Sequence, residues 1–118
     1  MLKEILEKQN KINEFACLLQ KNTGLKGCIY IHIKQGKHSP RIKYCPKTCK
    51  NNCITITINN EIIDDNKVIK NLDKKELELV KQFVSENKDL ISNYWYKYNE
   101  IDTYDILQDF IKWFQEKL

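Results

Sequence analysis

Cys53-Ile54-Thr55-Ile56-Thr57-Ile58-Asn59-Asn60-Glu61-Ile62-Ile63 is the stretch that decides the fold. Ile54, Ile56 and Ile58 alternate with Thr55 and Thr57, the period of a strand with one buried face. Asn59-Asn60 suits a tight turn, and Glu61-Ile62-Ile63 reads as a short return strand. Working towards the N-terminus, Ile29, Ile31 and Ile33 alternate with Tyr30, His32 and Lys34, which predicts a second strand over residues 28–34. Arg41-Ile42-Lys43-Tyr44 alternates again and is expected to pair with it. Gln35 to Pro40 reads as a turn or loop, and Cys45 to Asn52 as a polar connection.

Outside this block the period changes to that of helices. Leu2, Ile5, Leu6, Ile12, Phe15, Ala16 and Leu19 predict a helix over residues 2–21, stopped at Asn22-Thr23-Gly24 with Gly24 left-handed. Asp73 and Glu76 have capping-box spacing ahead of Leu77, Val80, Phe83 and Val84. Asn87-Lys88 is a break, after which Leu90, Ile91, Tyr94, Trp95 and Tyr98 form a second stripe. Asp102 can cap a last helix whose Ile106, Leu107, Phe110, Ile111 and Phe114 face inward. Tyr96 and Trp113 fall off the stripes. The expected fold is α+β: a small antiparallel β-sheet of three to four strands, packed by an N-terminal helix and two or three C-terminal helices. At 118 residues, without repeats or linkers, the chain reads as one domain.

Charge is distributed unevenly. Residues 1–14 hold three Lys and three Glu, residues 15–60 hold eight Lys/Arg and no acid, and residues 61–118 hold nine Lys against thirteen acids. The formal charge of +4 therefore comes from the central block. A polarity of this kind predicts a surface that meets something negative. The strand alternation puts Tyr30, His32, Lys34, Arg41 and Lys43 opposite the Ile face, with Lys37, His38, Lys47 and Lys50 on adjoining loops. All of these but His32 are the candidate partner-binding residues. Tyr with Lys/Arg on a sheet can track phosphates and stack bases, or dock on an acidic protein surface.

Five Cys and two His offer a second constellation. Thiolates and imidazoles suit zinc, which makes Cys45, Cys49, Cys53 and His38 weak metal candidates. Their C-x3-C-x3-C spacing matches neither a zinc ribbon nor the usual iron–sulfur runs, so no cofactor is expected, with zinc as the minor alternative. His32 and His38 could serve acid–base chemistry, yet no motif around them completes a catalytic set. The N-terminus Met1–Lys8 carries acids and lacks the apolar core of a signal peptide. With no run long enough to span a membrane, the expectation is a cytoplasmic protein without a membrane partner. A reducing cytosol argues against a disulfide framework. Lys outnumbers Arg nineteen to one, and Lys, Asn and Ile supply 47 of 118 residues. That bias suggests an AT-rich genome, a low-GC bacterium or its phage. It singles out Arg41, whose planar fork a Lys cannot replace.

Gly27-Cys28-Ile29-Tyr30-Ile31 and His38-Ser39-Pro40-Arg41-Ile42-Lys43-Tyr44 resemble the small bacterial family called domain of unknown function 4160. The likeness continues through Leu72-Asp73-Lys74-Lys75-Glu76-Leu77-Glu78-Leu79-Val80, then Phe83, Asn87-Lys88, Leu90-Ile91 and Tyr94-Trp95. It implies a compact sheet followed by two helices, and a context of toxin–antitoxin-like and mobile-element genes. The family keeps histidines just after its Pro, where this chain has Arg41 and Lys43. The terminal helices and the Cys-rich loop are additions. The leading expectation is a non-catalytic binding protein of a phage or mobile element. It would be an inhibitor of anti-CRISPR type or a toxin–antitoxin partner, acting on an acidic protein surface or nucleoprotein complex. RNA or DNA binding by the same face is the alternative, and a metal-dependent or ribonuclease-like enzyme the third. A homodimer is compatible with all three.

Overall fold

The computed structural model describes residues 15–34, 36–46, 52–64, 67, 70 and 72–117. Among these residues five strands form one antiparallel sheet in chain order: β1 (Phe15–Leu18), β2 (Cys28–His32), β3 (Arg41–Cys45), β4 (Ile54–Thr57) and β5 (Ile62–Ile63). The α+β class is as expected, with one strand more than the upper expectation.

The additional strand corrects the reading of residues 2–21 as a helix. Phe15 to Leu18 pair with His32 to Ile29, and a single helical turn, α1 (Gln20–Thr23), follows. Residues 1–14 lie outside the described residues. The correction has a simple cause. Phe15 to Leu19 is one continuous apolar run, which pattern alone cannot assign to strand or helix; Ala16 and Leu18, two residues apart, share a face only in the strand. Both are buried on the helix-packed side of the sheet. Gly24 stops α1 as predicted: at φ 78° it is left-handed, and its N–H donates to the Gln20 carbonyl at 2.8 Å.

The central hairpin follows its sequence closely. Asn60, at φ 63°, takes the left-handed position of the β4–β5 turn. The Asn60 N–H donates to the Thr57 carbonyl at 2.9 Å, and Thr57 N–H to the Glu61 carbonyl at 2.9 Å. Ile29, Ile31, Ile42, Tyr44, Ile54 and Ile56 turn inward against Val80, Phe83, Val84, Ile91, Ile106, Phe110 and Phe114. Those residues belong to α2 (Lys74–Glu86), α3 (Lys88–Lys97) and α4 (Thr103–Lys117). Phe83 is the centre of the helical layer, stacked on Phe114 at 4.9 Å and edge-on to Phe110 at 5.3 Å.

Local chemistry sets the helix ends. The Asp73 carboxylate accepts from Lys75 N–H at 2.9 Å and Glu76 N–H at 3.4 Å, which makes it the N-cap of α2. The hydrogen bond from the Lys26 ammonium, and then those helix N–H groups, hold the Asp73 carboxyl below its ordinary range. Glu76 does not complete the box; its carboxylate reaches instead to Lys26, Gly27 and Tyr44. Asn87 is buried at the α2–α3 junction and donates through Nδ2 to the Phe83 carbonyl at 2.9 Å. Asp102 caps α4 through Tyr104 N–H at 2.8 Å. Tyr98 departs from the predicted inward stripe: it lies one residue past α3 and is 41% exposed. Trp113 packs on Phe83 and Phe114, and its indole N–H donates to Glu86.

Candidate partner-binding face

The sheet face turned away from the helices carries the candidate residues, and its layout follows from register. One row across the strands reads Cys17, Tyr30, Lys43, Thr55 and Ile63. In the adjacent row Phe15 pairs with His32 and Arg41 with Thr57. Cys28 pairs with Cys45 in a third. No acid stands in any of these positions. Strand alternation therefore brings Tyr30, Arg41 and Lys43 to one face, as the sequence predicts.

Lys43 is exposed in the middle of this face, while Arg41 is half-buried at its end. The Arg41 guanidinium folds back on its own turn, Nε donating to the Ser39 carbonyl at 2.9 Å and Nη2 to Ser39 Oγ at 3.5 Å. Among the described residues two of its five donors are used in this way. Lys34 follows β2; its N–H donates to the Trp95 carbonyl at 2.8 Å, which ties the C-terminal end of this strand to α3, and its side chain is exposed. Lys37 and His38 are exposed on the β2–β3 connection. Lys47 and Lys50 lie outside the described residues. Among the described residues the ion pairs are Lys26–Asp73, Lys81–Glu78 and Lys117–Glu86. Lys34, Lys37, Arg41 and Lys43 take no part in them.

Tyr30 sits on the predicted face but is only 8% exposed, clustered with Cys28 and Cys45. It supports the face from below and offers no open platform for stacking a base.

His32 has a different role from the lysines beside it. Burial, then the positive charges of Lys43 and Arg41, lower its pKa from 6.5 to about 4. At neutral pH the imidazole is uncharged and supplies no acid for a two-histidine mechanism. The shift makes acid a destabilising agent. The unfolded chain takes up this proton near pH 6.5 and the folded chain only near pH 4. Stability is therefore complete above the upper value and falls as pH drops towards the lower. Allowing for the ring's partial exposure, the loss is about 2 to 3 kcal/mol. Urea denaturation across this range should show that slope in the wild-type protein and a flatter one in His32→Gln. Equal slopes would reject the assignment.

The cysteines form the other feature of this face. Cys28 and Cys45 are fully buried, with Cys17 and Cys53 packed against them. Cys45 and Cys53 are joined by a disulfide, with Cα atoms 4.2 Å apart. This corrects the expectation that the cysteines stay reduced, and it removes Cys45 and Cys53 as thiolate ligands in this state. Register explains the pairing: Tyr44 stands opposite Ile54, so the next pair outward is Cys45 and Cys53. The polar connection between them concealed that geometry in the sequence. Cys49 lies outside the described residues. Among the described residues no group of three or more His, Cys, Asp or Glu is placed to hold a metal ion. Nor is any described helix long and apolar enough to cross a membrane.

An open cleft of about 550 Å³ lies elsewhere, between α2 and the β4–β5 turn, lined by Asn60, Lys75, Glu78, Leu79, Lys81, Gln82 and Ser85. None of the candidate residues lines it. No family model, curated protein or solved structure matches this chain.

Proposed function

We propose that this protein is a non-catalytic binding module that docks its basic sheet face on an acidic protein surface or nucleoprotein complex. One observation carries the reading: Lys34, Lys37 and Lys43 are exposed and outside every ion pair among the described residues, on and beside a sheet face whose paired positions hold no acid. Exposed cations left without internal partners steer association with negative surfaces. His38 and Arg41 extend the same face, and Lys47 and Lys50 belong to the loop beside it by sequence. The resemblance of Gly27 to Trp95 to a family of mobile-element gene pairs supports an inhibitor of anti-CRISPR type or a toxin–antitoxin partner.

The direct test reverses Lys34, Arg41 and Lys43 to Glu together. These side chains are exposed or half-buried, so circular dichroism should be unchanged. Affinity for a partner retained from a low-GC bacterial host should fall about a hundredfold, or about 3 kcal/mol, by biolayer interferometry. Equal affinity would reject the face. RNA or DNA binding by the same residues is the second reading, favoured by the Arg41 donors that take no acceptor among the described residues and weakened by Tyr30's burial. It requires affinity to fall steeply with salt, because each neutralised phosphate releases counterions. A flat salt response excludes it.

A further inference from the structure

Four of the five cysteines meet on the face turned away from the helices. Three of them form a line across the sheet. Cys28 stands opposite Cys45 in the β2–β3 register, and Cys45 is bonded to Cys53. Cys45 therefore has a neighbour on each side, one already bonded and one a thiol. Cys28 is that thiol, fully buried and unbonded. Directly opposed residues of an antiparallel pair hold their Cβ atoms about 4.5 to 5.5 Å apart. A disulfide needs about 3.5 to 4.5 Å, so a small strand adjustment bridges the pair. The line also places Cys28 on the side of Cys45 away from Cys53, from which an in-line displacement at sulfur approaches.

We propose that Cys28, Cys45 and Cys53 form a thiol–disulfide exchange site in which Cys45 changes partner between Cys53 and Cys28. The Cys28 sulfur gives up its proton and attacks Sγ of Cys45. The Cys28–Cys45 bond forms as the Cys45–Cys53 bond breaks, and the released Cys53 thiolate takes up a proton. One disulfide and one thiol are present before and after, so the step needs neither oxidant nor reductant.

Burial gives the exchange a direction. Cys28 and Cys45 are both closed to solvent, whereas Cys53 is half-buried. The step moves the bond fully inside and leaves a thiol nearer the surface. It also opens the ring that the Cys45–Cys53 bond closes, and Lys47 and Lys50 lie within that ring by sequence. Control of the binding face by this opening rests on the function proposed above; the exchange itself does not.

The test uses the full chain carrying Cys49→Ser, so that the loop thiol cannot enter the exchange. The protein is held with N-ethylmaleimide at about pH 8, near the ordinary thiol range, without reductant. It is then digested and mapped by mass spectrometry over time. Exchange predicts maleimide accumulating on Cys53 while a Cys28–Cys45 linked peptide replaces the Cys45–Cys53 one. A Cys45–Cys53 bond that persists, with label only on Cys17 or Cys28, overturns the proposal. A second variant, Cys53→Ser, is oxidised with glutathione disulfide. It should yield the Cys28–Cys45 link; Cys45 capped by glutathione or joined to Cys17 overturns it. Neither map involves a partner, so failure here leaves the charge-reversal test intact, and failure there leaves this one intact.

Discussion

Glu76→Ala is expected to lose about 4 kcal/mol of stability, because two buried donors lose their acceptor at about 2 kcal/mol each. The carboxylate accepts from Lys26 N–H at 3.0 and 3.1 Å and from Gly27 N–H at 3.1 Å, and it also takes the Tyr44 hydroxyl. One side chain thus joins the first turn of α2 to the bend that opens β2 and to the C-terminal end of β3. Lys26 is exposed and its N–H recovers a water when the acceptor is removed. Gly27 and Tyr44 are buried and recover none. Burial first, then the bond to Glu76, push the Tyr44 phenol far above its ordinary range, so it remains a neutral donor at any working pH. Tyr44→Phe should cost less, about 1 to 2 kcal/mol, since Glu76 keeps both backbone donors. Glu76→Gln, which retains an acceptor oxygen, should fall between. Urea denaturation of the three variants gives the order. A Glu76→Ala loss below that of Tyr44→Phe would show that the carboxylate does not hold these elements together.

This contact also marks what the sequence could not reveal. Asp73 and Glu76 predict a helix start because a cap joins residues three apart, and Asp102 does so for the same reason. Glu76's real partners are 49 or 50 residues away at Gly27 and Lys26, and 32 away at Tyr44. No local pattern announces such a pairing. The hairpin over Cys53 to Ile63 was legible because alternation and turn chemistry are both local. Phe15 to Leu18 was not, because a continuous apolar run fits either period and only the open edge of β2 decides between them. The basic face stands between these cases. Alternation put Arg41 and Lys43 on one face correctly, but it could not show that Tyr30 is buried in a cluster with the cysteines. The disulfide was legible in principle. Once Ile42 and Tyr44 are paired with Ile56 and Ile54, Cys45 must face Cys53, a step that needs strand register as well as strand identity.

Gly27→Ala should be the most damaging single methyl group, with an expected loss of about 4 kcal/mol. That is more than the about 1 to 3 kcal/mol of ordinary overpacking. A Cβ at Gly27 would lie 2.2 Å from the Cys45 carbonyl oxygen, and 2.9 Å from both Cζ and the hydroxyl oxygen of Tyr44. The first of these atoms is backbone and cannot rotate away. To clear it, β2 and β3 must separate where Cys28 faces Cys45, and the Gly27 N–H must leave Glu76. Gly36→Ala is the matched control. Its Cβ would meet no atom within 4 Å, but its φ of 57° is left-handed, which costs an L-residue about 1 to 2 kcal/mol. Thermal and urea unfolding should therefore place Gly27→Ala well below Gly36→Ala, and equal stabilities would remove the close approach as the reason for a glycine. The binding face should survive this strain. A one-residue slip of β3 would send every side chain to the opposite side, burying the Arg41 and Lys43 charges against the helices and exposing Ile42 and Tyr44, at a cost well above that of the clash. The Cys45–Cys53 bond also holds β3 in register. A Gly27→Ala protein that still folds should therefore lose stability and keep partner affinity, and a matching loss of affinity would show that the face itself is rearranged.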